Sequence, residues 1–358
     1  MLIIKKCFEL SRNLPLDIVA RGPETPKEER ELTLDILKSH AHRVQRFYGT
    51  MKRGNFSVWA VMALFPLEVQ KVELPLLTEL AILDLGVYIT PEKNALHLPR
   101  ITQLSLWFIN MAVFEGLDPI SLKTLKTLSL TFDEYVPNRE HLIRLDECTS
   151  LRRLIITQHA IYDFESWRPG QIISVPTLEY LHFDISRETV ISTFMSLLHL
   201  PALTHLSIRH RPNPNYARVI LTAFEEDMRT LSLPALATIT LEDVELVGPE
   251  FENRAQWISQ LKEVHFKNCV SWDTFFQDWL APDLVISAPQ ISRLIWEAGS
   301  DLYDLLLFVE ARMRQAEQGE AGRLEKVKVV KPIGPNTEEV EGVLRSVKMK
   351  YPGLLELF

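Results

Sequence analysis

The hydrophobic positions of this chain recur as a phrase, leucine-proline-x-leucine-x-x-leucine-x-leucine, with aliphatic substitutions. Copies read LPLLTELAI from Leu74, LPRITQLSL from Leu98, LKTLKTLSL from Leu122, TSLRRLII from Thr149 and VPTLEYLHF from Val175. The series continues as LPALTHLSI from Leu200, LPALATITL from Leu233, ISQLKEVHF from Ile258, APQISRLIW from Ala288 and GRLEKVKV from Gly322. The first core position falls at Leu77, Ile101, Leu125, Leu151, Leu178, Leu203, Leu236, Leu261, Ile291 and Leu324. Subtracting neighbours gives steps of 24, 24, 26, 27, 25, 33, 25, 30 and 33 residues. Most fall within the roughly 20 to 29 residues of a leucine-rich repeat, and the longer steps imply insertions.

The spacing has a physical meaning. The last two apolar residues of each phrase are two apart, so they share one face of a strand. Leu104 with Leu106, Leu128 with Leu130, Leu181 with Phe183 and Leu206 with Ile208 form that face, and Ser105, Ser129, His182 and Ser207 turn the other way. Apolar residues at three- and four-residue spacing predict helices over Thr189–Leu200, Tyr216–Met228, Phe251–Gln260, Trp272–Leu280 and Leu302–Gln318. Strand, crossover and parallel strand wind right-handed, and stacking them predicts an α/β solenoid, a horseshoe with a parallel concave sheet and helices outside. Proline at the start of a phrase ends the preceding helix without costing a ladder hydrogen bond.

The whole chain, 1–358, reads as one such solenoid, with degenerate repeats over 1–70, clear and irregular ones over 71–332, and a capping helix in 333–358. At the N-terminal end the pattern predicts a helix over Leu2–Leu10, a strand over Leu14–Val19 and a helix over Lys27–Ser39. A strand over Val44–Tyr48 and a helix over Ser57–Leu64 follow. Arg21–Glu31 reads as a polar connector. At the other end Val340, Val343, Leu344 and Val347 give Thr337–Lys350 one apolar side, suited to covering the open end of a stack.

Composition narrows the function classes. The formal charge of −8 argues against a nucleic-acid binder, which usually carries a basic balance. The longest apolar run, Val58–Phe65, is too short to span a bilayer, and the N-terminal stretch has the wrong charge order for a secretory signal. Cys7, Cys148 and Cys269 are widely separated, which suits free thiols in a reducing compartment, cytosol or nucleus. No phosphate-binding loop, dinucleotide fingerprint, HExxH or GxSxG motif occurs, so no cofactor and no catalytic residue is expected. His40 and His42 fall at an expected helix end, where an imidazole can meet terminal carbonyls. His199, His205 and His210 read as surface or strand-face histidines, and no metal set is expected from them. Asn268 and Cys269 fall where the side chain can satisfy backbone groups in the turn leaving a strand.

NLPLDI (Asn13–Ile18), then LDILKSHAHRVQRF (Leu34–Phe47), then LPLLTELAI resembles the fungal F-box proteins with irregular leucine-rich repeats. The resemblance implies a non-catalytic module in which the repeats select a substrate for a cullin-type ubiquitin ligase. An F-box, about forty residues in that family, is expected upstream of Leu10, and the stretch there is too short for one. The resemblance therefore extends to substrate recognition, and an adaptor is implied only if an F-box lies further upstream; the alternative is a leucine-rich-repeat scaffold unconnected with ubiquitin.

A solenoid of this kind is expected to bind a protein partner, as a monomer, on its concave strands. The exposed positions fall two, four and six residues after each first core position. The first register holds Glu79, Gln103, Thr127, Arg153, Tyr180, His205, Thr238, Glu263, Arg293 and Lys326. The second includes Ser105, Ser129, Ile155, His182, Ser207, Thr240, His265 and Ile295, and the third Trp107, Asp184, Arg209, Glu242, Lys267 and Glu297. Tyrosine, tryptophan and arginine are enriched in binding hot spots. The candidate partner-binding residues are accordingly Trp107, Arg153, Tyr180, His182, His205, Arg209, His265 and Arg293. A basic stretch, Arg209-His210-Arg211 with Arg218, is the alternative point of attraction for phosphate.

Overall fold

The computed structural model describes residues 2–20, 27–50, 64, 72–83, 92–107, 111–132, 142–158, 172–185, 194–195, 197–210, 233–246, 260–271, 290–297, 302–319, 322–330 and 338–358. The chain divides into two compact units, one of Met1–Tyr162 with Ile173–Thr177, the other of Leu178–Phe358 with Asp163–Ile172. Both are mixed α/β and built on parallel strands.

The first unit contains α1 (Leu2–Leu10), β1 (Leu16–Ala20), α2 (Lys27–Ser39), β2 (Val44–Thr50), β3 (Glu79–Leu83) and β4 (Gln103–Trp107). It continues through α3 (Met111–Gly116), α4 (Pro119–Thr124), β5 (Thr127–Phe132) and β6 (Arg153–Gln158). Its strands lie side by side in chain order, each parallel to the next. The second unit contains β7 (Tyr180–Ile185), β8 (His205–His210), β9 (Thr238–Glu242), β10 (Glu263–Lys267) and β11 (Arg293–Glu297). After these come α5 (Leu302–Glu317), β12 (Lys326–Val330), α6 (Glu338–Lys350) and β13 (Leu355–Leu357), again with all strands parallel and in chain order.

Two local devices make the strands repeat. Leu74–Leu77, Leu98–Ile101, Leu200–Leu203 and Leu233–Leu236 are each closed by an amide-to-carbonyl bond across four residues, at 3.0 to 3.2 Å. Proline holds the second place of each, where its fixed φ fits the turn and its missing N–H is not needed. The residue after each first core position then offers one carbonyl to two successive amides of the next strand. Thr78 O receives Thr102 N at 2.9 Å and Gln103 N at 3.1 Å, and Glu179 O receives Thr204 N and His205 N at 3.0 Å each. Ala237 O and Lys262 O serve their following strands in the same way. The doubled bond fixes where each strand starts, so equal repeat positions are forced into register.

Register decides burial. Leu104, Leu106, Leu128, Leu130, Leu154 and Ile156 line the core of the first unit, and Leu181, Phe183, Leu206, Ile208 and Trp296 that of the second. Each such side chain contributes on the order of 1.5 to 3 kcal/mol of hydrophobic stabilisation. The alternation also places His210, expected at a surface, inside at 2% exposure. It shares parity with Leu206 and Ile208 on β8, so a strand that runs to residue 210 must turn that ring inward.

Several expected elements match closely. Helices stand at Leu2–Leu10 and Lys27–Ser39 as expected, and the two C-terminal helices begin or end within one residue of expectation. The strand expected from Leu14 begins at Leu16 instead. Buried Arg43 takes the Leu14 carbonyl with Nε at 3.1 Å and Nη2 at 2.9 Å, which ties Leu14 into the preceding turn. His40 behaves as a helix-end residue, its Nδ1 3.0 Å from the Ile36 carbonyl. The helix expected at the C-terminal end is followed by one more strand, β13, entered through Tyr351-Pro352-Gly353-Leu354 with Gly353 at φ 82°. The helices expected over 216–228 and 272–280 lie outside the described residues, as do nearly all of those over 57–64 and 251–260. In 189–200 the described residues are helical at 194–195 and 197 and extended at 198–199.

Candidate functional site

Strands β7 to β11 set their outward residues in rows. Tyr180, His205, Thr238, Glu263 and Arg293 are successive ladder partners, and so are His182, Ser207, Thr240, His265 and Ile295. Asp184, Arg209, Glu242, Lys267 and Glu297 form the third row. Neighbouring strands stand about 4.8 Å apart, so residues in one row touch.

At the β7 end of this face the chemistry is aromatic. The Tyr180 ring lies 6.5 Å from His182, nearly parallel, and 6.4 Å from His205 on the adjacent strand. His182 Nδ1 stands 2.9 Å from Ser207 Oγ, and His205 Nδ1 the same distance from Thr204 Oγ1. Covered in this way, Ser207 is buried and not exposed as its register suggested. Asp184 is also buried, since the final residues of β7 are enclosed on both sides.

Further along the face the chemistry is ionic. Arg209 Nε lies 3.5 Å from Glu242 Oε1 and 3.6 Å from Asp243 Oδ2, and Lys267 Nζ lies 2.9 Å from the same Glu242 oxygen. The hydrogen bond that Lys267 donates to Glu242 holds its ammonium above its ordinary range. Arg293 Nη1 stands 3.9 Å from Glu263 Oε2. His265 Nε2 stands 3.6 Å from Glu297 Oε2, too far for a hydrogen bond. Burial pushes the His265 pKa down, partly opposed by the Glu297 charge.

Six of the eight candidate residues therefore share one face of one unit: Tyr180, His182, His205, Arg209, His265 and Arg293. Tyr180, His182 and His205 form a single cluster, while Arg209 and His265 belong to the ionic part. Trp107 and Arg153 stand on the corresponding face of the first unit, on β4 and β6, with β5 between them. The basic stretch does not present itself as a phosphate site. His210 is inside, Arg209 is already held by two carboxylates, and Arg211 and Arg218 lie outside the described residues. Pattern reading missed Asp243, whose backbone at φ 58° turns its carboxylate to Arg209.

The cysteines offer little reactivity at neutral pH where they are buried. Burial pushes the Cys148 and Cys269 thiols up to about 12. Cys269 Sγ donates to the Leu241 carbonyl at 3.3 Å, the backbone-satisfying role expected for this position, whereas the preceding Asn268 adopts φ 50° and donates its side-chain amide to the Asp243 carboxylate and not to a backbone group. Among the described residues no three histidine, cysteine or carboxylate side chains converge as a metal site requires, and no helix is long and apolar enough to cross a membrane. No protein-family model and no curated protein matches the sequence.

Proposed function

We propose that the chain is a leucine-rich-repeat solenoid related to the fungal F-box proteins, and that it holds a protein partner against its outward strand face. In this reading it is the substrate-recognition part of a ubiquitin-ligase receptor and does no chemistry itself. The observation that carries the reading is the cluster of Tyr180, His182 and His205 on an accessible, in-register face. Aromatic side chains fixed on a sheet supply large contact area at little entropic cost, which is how hot spots are built. The neighbouring cations are neutralised within the face, so attraction to phosphate is weak and side-chain pattern governs the choice of partner.

Affinity purification of the tagged chain with mass spectrometry tests this directly. A discrete partner should co-purify with the parent chain and be reduced at least about tenfold for Tyr180→Ala, the loss typical of a hot-spot aromatic. A partner retained in full by Tyr180→Ala and His205→Ala would refute docking at the cluster. Ubiquitin-ligase subunits should appear when an F-box is present in the upstream coding sequence. A partner without them would leave the binding role and remove the ligase.

A further inference from the structure

The carboxylates of the outward rows are matched unequally. Glu242, Glu263 and Glu356 each have a lysine or arginine nitrogen within 4.0 Å. Glu297, with its side chain 29% exposed, has only His265, and among the described residues no lysine or arginine nitrogen comes that close to it. Lys267, the nearest cation in its row, has its ammonium on Glu242 at 2.9 Å. Beside Glu297 are Ile295 on the same side of β11 and Val330, its ladder partner on β12, both apolar and partly exposed, while Lys328 next to Ile295 has its ammonium over the Phe358 ring at 4.6 Å.

We propose that Glu297 and Ile295 form a subsite for a lysine or arginine side chain of the bound protein, and that protonation of His265 closes it. This deepens the protein-binding reading above and rests on it. The ionic group contains three carboxylates, Glu242, Asp243 and Glu297, against two permanent cations, Arg209 and Lys267. One negative charge is left over, and it falls on Glu297. An incoming cation completes the count, and its methylene stem covers Ile295 while the charged head stays partly wet. When His265 takes up a proton the count is already complete and the incoming cation is repelled. The groups that face His265 are Glu263 and Lys267 on its own strand, Glu242 and Thr240 on β9, and Glu297, Arg293 and Ile295 on β11. Because burial lowers the His265 pKa, closure comes on the acid side of the ordinary histidine range.

The test is selection of a random peptide library displayed on phage against the whole chain at about pH 7.5, where an unperturbed histidine is mostly neutral. The selected peptides are then synthesised and measured by calorimetry. They should be rich in lysine or arginine. Glu297→Gln should weaken them about tenfold, the usual scale for removing one partner of a charge-assisted contact. Glu297→Asp should recover part of the affinity and Glu356→Gln should leave it unchanged, with melting curves showing each variant folded. Acidification to about pH 5.5 should weaken binding to the parent chain and not to His265→Asn. Peptides without basic residues, no selectable peptide, or indifference to Glu297→Gln would each overturn the proposal. Binding lost in Tyr180→Ala but unaffected by Glu297→Gln would overturn the subsite alone, whereas indifference to both would overturn the face as well.

Discussion

Arg144→Met separates the two kinds of polar interaction that hold the first unit together. The Arg144 side chain is only 5% exposed and serves three segments at once. Its Nε and Nη2 reach the two Glu147 oxygens at 2.8 and 3.1 Å, Nη2 also reaches Asn94 Oδ1 at 3.3 Å, and Nη1 donates to the Glu115 carbonyl. That carbonyl lies in the last turn of α3, where a helix runs out of its own amide donors. Methionine keeps the packing of the stem and removes every donor. The two neutral acceptors lose charged donors worth about 1.5 kcal/mol each, so the expected cost is about 3 kcal/mol. Glu147, 37% exposed, can return to water. Glu147→Gln should therefore cost about 1 kcal/mol or less, the range of a surface pair.

Urea unfolding, with hydrogen exchange to localise the effect, measures both variants. The Arg144 guanidinium holds the Glu147 carboxyl below its ordinary 4.5. A depressed carboxyl contributes stability above its unfolded pKa and loses it as pH falls through the folded value. The gap between parent and Arg144→Met should accordingly narrow in acid, though only by the small share belonging to the ion pair. A neutral Arg144→Met would show that this guanidinium is no better than an apolar filler. Equal losses in Arg144→Met and Glu147→Gln would show that the ion pair and not the neutral acceptors carries the energy. Either result refutes the reasoning.

Two further outcomes follow from backbone and burial. Gly353→Ala should destabilise by about 1 to 2 kcal/mol in thermal melts, because φ 82° penalises any Cβ. Gly342→Ala, in α6 with no atom within 4 Å of the added methyl, should stabilise by up to about 1 kcal/mol. The same substitution thus has opposite signs at two glycines eleven residues apart, and equal signs would contradict the account. For the thiols, exposed Cys7 should react with a colorimetric disulfide reagent in the native protein. Cys148 and Cys269, buried and raised to about 12, should react only after unfolding.

What could be read from the chain and what could not divide along physical lines. The phrase fixed strand positions well because each contains its own turn, with proline in the right place and leucine two apart. The first register is accessible at every position from Glu79 to Lys326, as expected. Ser207, inside the phrase, is buried because His182 covers it, and the other departures lie where parity has to be counted beyond the phrase. His210 is buried because β8 runs two residues further than the motif, and Asp184 because β7 is enclosed at its end. β13 was missed although Tyr351-Pro352-Gly353-Leu354 carries the same turn, since tyrosine and glycine replace the usual residues. The Arg209–Glu242 pair follows from register, but the Arg209–Asp243 pair could not be foreseen from spacing, because it depends on Asp243 at a positive φ, a conformation uncommon outside glycine.

A parallel ladder makes the electrostatics of its face a property of columns in the repeat alignment. Equal repeat positions stand side by side, so like charges at one position in consecutive repeats would repel at close range. The third row avoids this by alternating sign from Asp184 through Arg209, Glu242 and Lys267 to Glu297. Alternation lets a face carry many charges with little net field, even though the chain as a whole stands at −8. Such a face does not gather ligands by long-range attraction, so a partner's association should depend only weakly on salt. In the proposed protein-binding role, discrimination comes at contact, from rings that can be covered and from the one position where the alternation ends without its cation. Tyr180 and Glu297 lie at opposite ends of the same five strands, and a partner that reads both must span the whole row.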